Sequence, residues 1–131
     1  MDIVRRFEDA AHIDLSHLGL DSFVLKAANL WSGQGVYMLH KVVGTDLFYD
    51  VKNCTAGTEQ SVKQNALQLQ EKRGRATPFC IERRAYDEDP ANRIPLDYKL
   101  FTFYGVVKFI LQVDRNVSPP VLSFFDGEFE P

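Results

Sequence analysis

A chain of 131 residues, 45% apolar and 25% charged, has the composition of one folded globular domain, which excludes a disordered protein. Its net charge of −3 argues against a broad nucleic-acid-binding surface, and no apolar run approaches the roughly 20 residues that span a bilayer. The charged N-terminus does not resemble a secretory signal, so we expect a cytoplasmic protein. We expect it to bind no nucleic acid and to have no membrane-spanning segment.

The N-terminal part of the chain predicts a short lead-in followed by a hairpin. Residues 1–22 contain a short polar helix and a turn, with no core of their own. The β-branched and aromatic residues of Phe23–Lys26 predict a strand, and Gly35–Val43 predicts a second one. The two strands form a hairpin with an unusually large loop.

The middle of the chain predicts two short strands around one helix. Leu47–Val51 is a short aromatic strand bounded by turn residues. Thr58–Arg73 predicts a helix that ends at Gly74, because Val62, Ala66 and Leu69 lie on one stripe and the last turn is basic, with Lys72 and Arg73. The segment "TPFCIERR" then predicts a short apolar strand, followed by an acidic, proline-broken loop.

The strongest pattern in the chain is "YKLFTFYGVVKFILQVDR", which starts at Tyr98 and ends at Arg115. Two aromatic and β-branched runs meet near Tyr104 and Gly105, which predicts an antiparallel hairpin. The "VLSFFDGEFEP" that follows predicts an acidic strand or loop with no later element to pack on.

Lys26 stands at the end of an apolar strand, before a loop that contains Ser32, Gly33 and Gly35. An ammonium group beside backbone N–H groups that glycine leaves accessible suits a phosphate. The segment is neither a Walker A motif nor a dinucleotide fingerprint, and on local evidence alone a solvated lysine beside a flexible hairpin is the simpler explanation. The local sequence leaves both interpretations open.

Two further charged groups stand at strand ends. Glu82 and Arg83 follow the run "FCI" and are compatible with an ordinary surface ion pair. Lys99 and Arg115 stand at the start and end of the predicted hairpin, so they lie near each other. Beside Lys26 they would form a positive site able to neutralise a polyphosphate, whereas the simpler alternative is a strand-end ion pair.

Other chemistries have little support. The three histidines have no carboxylate or thiol at metal-ligand or triad spacing. Cys54 and Cys80 match neither a zinc site nor a disulfide framework, so we expect unreactive thiols. These observations argue against a hydrolase.

Taken in order, the motifs "FVLK", the glycine loop, "FCIERR", "DYK" and "DR" resemble the ATP-grasp fold, and specifically the TupA-like ATP-grasp family linked to bacterial cell-surface polysaccharide biosynthesis. The similarity runs from about Ile13 to Asp126. It implies an enzyme that binds ATP and Mg²⁺, phosphorylates a carboxylate substrate and lets an amine or related nucleophile attack the acyl phosphate.

The resemblance also implies roles for individual residues. Lys26 would contact the nucleotide phosphates, and the loop with Ser32, Gly33 and Gly35 would close over them. The adenine-binding hinge would comprise three residues of one strand end, Ile81, Glu82 and Arg83. Lys99 would reach the phosphates from a second lobe, and Arg115 would act catalytically on the γ-phosphate or an acyl phosphate.

The implied fold is α+β, with two lobes of antiparallel sheets, one packed helix and a nucleotide cleft between the lobes. Residues 1–22 would be the lead-in, 23–77 the lobe with the glycine loop and helix, and 78–131 the start of a second lobe, incomplete at the C-terminus. The acidic, Asn-containing motif that holds magnesium in ATP-grasp enzymes has no counterpart before Pro131.

This departure leaves three functions open. The chain is the ATP-binding portion of an ATP-grasp ligase-like protein, or a subunit completed by another chain that supplies the metal ligands. Alternatively it is a non-catalytic interaction module that keeps the fold and pairs with a partner, or with itself, through exposed strands.

Overall fold

A computed structural model describes residues 2–30 and 34–131 of the chain. Within these ranges the protein has an α+β fold of antiparallel sheets and one α-helix, in agreement with the predicted fold class. The chain divides into two compact units, one up to Arg84 and one from Ala85 to Pro131.

Among its described residues, the first unit has six strands, one α-helix and one short 3-10 helix. Its elements are β1 (Ile3–Phe7), a 3-10 helix (Ala10–His12), β2 (Ser22–Ala27), β3 (Val36–Lys41), β4 (Leu47–Asp50), β5 (Thr55–Thr58), α1 (Glu59–Arg73) and β6 (Phe79–Arg83). The strands pair antiparallel in the order β1-β6-β2-β3-β4-β5. Both the predicted hairpin, β2 and β3, and the predicted short strand β4 are confirmed.

The residues of β2 alternate between the two faces of this sheet. Phe23, Leu25 and Ala27 are buried, at most 5% exposed, and belong to the hydrophobic core. Val24 and Lys26 point to the opposite face because successive side chains of a strand alternate. Lys26 therefore lies on the face of the sheet that is not covered by the core.

Helix α1 packs its apolar stripe into this core, as predicted. Val62 and Ala66 are buried among the sheet residues. The Thr58 side chain accepts a hydrogen bond from the Ser61 N–H and caps the helix, and Gly74 ends it in the left-handed conformation at φ 66°. The sequence signals for the start and end of the helix are both confirmed.

Strand β6 belongs to the first unit. It lies between β1 and β2, where Ile81 is opposite both Arg5 and Leu25. The boundary between the units therefore lies after Arg84 rather than at residue 77, because the backbone of β6 is hydrogen-bonded on both sides within the first sheet.

The lead-in contains the predicted short helix only as one 3-10 turn, and most of its first residues form a strand instead. Residues Ile3–Phe7 form strand β1 on the free edge of β6, and only Ala10–His12 are helical, capped by the Asp9 carboxylate. Ala10, Ile13 and Leu15 are at most 3% exposed, so this segment also contributes to the core. Residues Ile3–Phe7 form a strand because their backbone is hydrogen-bonded to β6, which is distant in the sequence.

The second unit is a three-stranded antiparallel sheet. Its strands, β7 (Asp97–Phe103), β8 (Val106–Asp114) and β9 (Val121–Asp126), pair in chain order. The hairpin between β7 and β8 turns at Tyr104 and Gly105, whose φ angles are 50° and 77°. The predicted hairpin and its turn are confirmed.

Candidate binding site

Lys26 and Glu82 lie together on the open face of the first sheet. Lys26 is opposite Cys80 and Glu82 is opposite Val24, so the two charged side chains are diagonal neighbours on adjacent strands. Lys26 Nζ lies 2.8 Å from Glu82 Oε1, and the side chains are 26% and 13% exposed. In such a partly buried pair, loss of either partner leaves the other charge poorly compensated.

The pair forms part of the wall of a cavity of about 500 Å³ within the first unit. Its lining combines four charged residues with six apolar ones: Arg6, Glu8, Lys26 and Glu82, with Ile3, Phe7, Ala28, Pro78, Phe79 and Cys80. Its size and its mixture of apolar walls with a few charged groups are those of a small-molecule site.

Cys80 lies between two cations on this face. It is opposite Arg6 on β1 and opposite Lys26 on β2. Burial raises the pKa of the Cys80 thiol, and the Glu82 carboxylate raises it further, while the charges of Lys26 and Arg6 act in the other direction. The thiol therefore stays protonated near neutral pH.

Gly35 lies at the end of the loop, directly before β3. Its φ is 64°, and a Cβ there would come within 2.7 Å of Leu69 Cδ2 and 3.0 Å of the Ala27 Cβ. Its carbonyl accepts a hydrogen bond from the Ala27 N–H. Two structural constraints therefore explain why a glycine stands at position 35: its left-handed backbone conformation and its close packing against helix α1. The predicted loop residues Ser32 and Gly33 lie outside the described residues.

Of the three predicted hinge residues, only Glu82 lines the cavity with its side chain. The Ile81 side chain is 0% exposed in the core on the opposite face. Arg83 Nε lies 2.6 Å from Asp2 Oδ2, in an exposed ion pair. Glu82 therefore pairs with Lys26 on β2, and Arg83 pairs with Asp2 directly before β1, so Glu82 and Arg83 do not pair with each other.

Lys99 and Arg115 lie in the second unit. Arg115 Nη1 donates a hydrogen bond to Asp97 Oδ2 at 3.0 Å, so the two ends of the predicted hairpin meet as expected. Lys99 is exposed on β7, on the same face as Asp97. The structure places them in a different unit from Lys26, and the cluster of all three cations stays a prediction.

Sequence reasoning missed Arg6 and Glu8 as cavity residues. Both follow Ile3–Arg5, which the sequence pattern places in a lead-in without a core. The signal that would have indicated a strand is the β-branched pair Ile3 and Val4, with Phe7, in "DIVRRFE". It is weak because these apolar residues do not alternate with the charged ones in strand period.

In residues 2–30 and 34–131, no group of three or more His, Cys, Asp and Glu side chains is arranged to hold a metal ion. The same part of the chain has no helix long and apolar enough to cross a membrane.

Comparison of the chain with protein-family models, with curated proteins and with solved structures gives no match.

Proposed function

We propose that the chain is the ATP-binding portion of an ATP-grasp ligase-like protein, of the kind linked to bacterial cell-surface polysaccharide biosynthesis. The observation that carries this proposal is the Lys26–Glu82 pair, at 2.8 Å, in the wall of a cavity of about 500 Å³. The order of the sequence motifs supports it independently. The proposed complete protein activates a carboxylate as an acyl phosphate.

Each charged residue has a chemical role in this proposal. Lys26 donates to phosphate oxygens, and Glu82 orients its ammonium group and accepts hydrogen bonds from N–H or O–H groups of the nucleoside. In the reaction, a carboxylate oxygen attacks the γ-phosphorus and ADP leaves. A nucleophile then attacks the acyl carbon and releases phosphate. For the complete protein, the proposal keeps the role that the resemblance implies for Arg115, which is to neutralise the charge of the transferred phosphoryl group.

Magnesium accompanies ATP in this proposal, but the described residues offer no cluster of metal ligands. We therefore assign no protein ligand to it. A subunit completed by another chain would receive these ligands from its partner. That alternative predicts ligase turnover only after a second polypeptide is added, and inactivity of every such mixture would exclude it.

Calorimetric titration with ATP and magnesium tests the proposal on wild type, Lys26→Met and Lys72→Met. Methionine preserves the length of the side chain and removes its charge, and Lys72 is exposed at the end of α1, outside the cavity. We expect wild type and Lys72→Met to bind equally, and Lys26→Met to bind about tenfold or more weakly, because a charge-assisted hydrogen bond is lost.

A second variant controls for the carboxylate that Lys26→Met leaves unpaired. The double variant Lys26→Met/Glu82→Gln removes both charges, and circular dichroism checks that it folds. It should also bind ATP weakly. Equal heats for wild type and a folded Lys26→Met protein would refute the assigned phosphate role.

A second candidate function is an interaction module, favoured by the exposed apolar side chains of the second unit. Leu100, Phe103, Leu122 and Phe124 are between 53% and 62% exposed, and β7 and β9 are edge strands of a three-stranded sheet. Such surfaces associate with partners. Sedimentation without nucleotide tests it: we expect association that increases with concentration, whereas a monomer at every concentration would exclude self-association.

A further inference from the structure

The open face of the first sheet is organised in rows across β1, β6 and β2. One row contains Ile3, Glu82 and Val24, and the next contains Arg6, Cys80 and Lys26. Beyond them, Pro78 and Ala28 are joined by a 2.8 Å hydrogen bond from the Ala28 N–H to the Pro78 carbonyl. The cavity therefore runs along the strands, from Glu82 towards Ala28 and Pro78.

The middle row places two cations on either side of one small residue. Neighbouring strands lie about 4.8 Å apart, so Arg6 and Lys26 start roughly 10 Å apart, with the Cys80 side chain between them. Because both side chains are long and flexible, their charged ends can approach the same ligand. A chain of two or three phosphates has the length and charge to contact both.

Arg6 differs from Lys26 in its partners. Lys26 is paired with Glu82, whereas within residues 2–30 and 34–131 the Arg6 guanidinium has no carboxylate within ion-pair distance, although Glu8 lines the same cavity. A guanidinium presents a planar set of N–H donors that fits phosphate oxygens in pairs. Its donors are therefore available to an anion from solvent.

We propose that Arg6 is a second phosphate-binding residue, which together with Lys26 holds the phosphate chain of a nucleoside triphosphate across Cys80. This inference rests on the proposed ATP-binding function and assigns a residue that the sequence motifs do not. The order of the rows orients the ligand: the nucleoside lies towards Glu82 and Ile3, and the phosphates lie at Arg6 and Lys26, towards Ala28 and Pro78.

The first test compares ATP, ADP and AMP, each with magnesium, on wild type, Arg6→Gln and Arg75→Gln. Arg75 is exposed between α1 and β6 and does not line the cavity, so it is the matched control. We expect Arg6→Gln to bind ATP about ten- to hundredfold more weakly, while AMP binding changes little and Arg75→Gln matches wild type.

The possible results separate the two proposals. Binding of ATP by wild type, weakened by Lys26→Met but unchanged in Arg6→Gln, overturns the role of Arg6 alone. A wild-type chain that binds no nucleotide overturns both proposals. An equal loss for ATP and AMP in Arg6→Gln also contradicts a contact with the outer phosphates.

A second readout does not depend on affinity. In a Cys54→Ser chain, Cys80 is the remaining cysteine. Because burial raises the pKa of its thiol, its reaction with a thiol reagent is followed above the ordinary thiol pKa of about 8.5, over a time long enough for a buried thiol to react. A phosphate chain held across Cys80 should slow this reaction several-fold at saturating ATP. An unchanged rate under those conditions would overturn the proposed position.

Discussion

At the scale of single residues, Gly35 combines two constraints that can be separated by experiment. Its φ of 64° disfavours any L side chain, and a Cβ would also meet Leu69, Ala27 and Leu30 at 2.7–3.2 Å. We expect Gly35→Ala to lower the free energy of unfolding by about 2–3 kcal/mol, from backbone strain together with overpacking. Urea denaturation measures the change.

Gly19 is the matched control for this substitution. Its φ is 66°, almost that of Gly35, but a Cβ added at Gly19 would have no atom of the described residues within 4 Å. Gly19→Ala should therefore cost only about 1 kcal/mol, the backbone contribution alone. Equal losses in the two variants would show that the contact with helix α1 contributes nothing.

Individual residues were predictable where their type and position were both unusual. Lys26 was recognisable as a candidate because it is a charged residue at the end of an apolar strand. Glu82 was recognisable because it directly follows an apolar run. Their pairing was not predictable, because it depends on β6 inserting beside β2. The role of Arg6 in the cavity was not predictable for a related reason: strand β1 forms by pairing with β6, which is distant in the sequence.

At the scale of elements, Gln70 connects three parts of the first unit. Its Oε1 accepts hydrogen bonds from the Ala10 N–H at 3.0 Å and from the Thr77 N–H at 3.1 Å. Both of those residues are 0% exposed. One helix side chain therefore satisfies two backbone donors that would otherwise be buried without a partner.

We expect Gln70→Ala to destabilise the protein by about 2–4 kcal/mol, because two buried donors lose their acceptor. Gln64→Ala is the control: Gln64 is exposed on the same helix, and its substitution changes the helix propensity by the same amount. Thermal and urea unfolding should show the loss for Gln70 alone. Similar midpoints for both variants would contradict the bridging role.

Elements with strong local signals were predictable and those with weak signals were not. Helix α1 has an apolar stripe and both caps, and the β7–β8 hairpin has two long aromatic and β-branched runs. Strand β5 is "TAGT", with no large apolar residue, and β1 carries two arginines. Pairing with a neighbouring strand stabilises β1 and β5, and the local sequence does not contain that information.

At the scale of the whole chain, the two units differ in how much core they contain. Every residue of the hydrophobic cluster, from Ala10 to Ile81, belongs to the first unit. In the second unit only Ile110 and Val113 are buried apolar residues among those that the structure describes. The first unit therefore contains enough hydrophobic core to fold alone, because the burial of apolar area is the dominant contribution to folding stability.

We accordingly expect a polypeptide of residues 1–84 to unfold cooperatively in urea. Residues 85–131 alone should show no cooperative transition, because a three-stranded sheet with mostly exposed apolar side chains buries too little area to offset its chain entropy. Far-UV circular dichroism of both fragments measures this. A gradual, non-cooperative signal from residues 1–84 would show instead that the core of the first unit needs the rest of the chain, and that the division into units does not reflect independent stability.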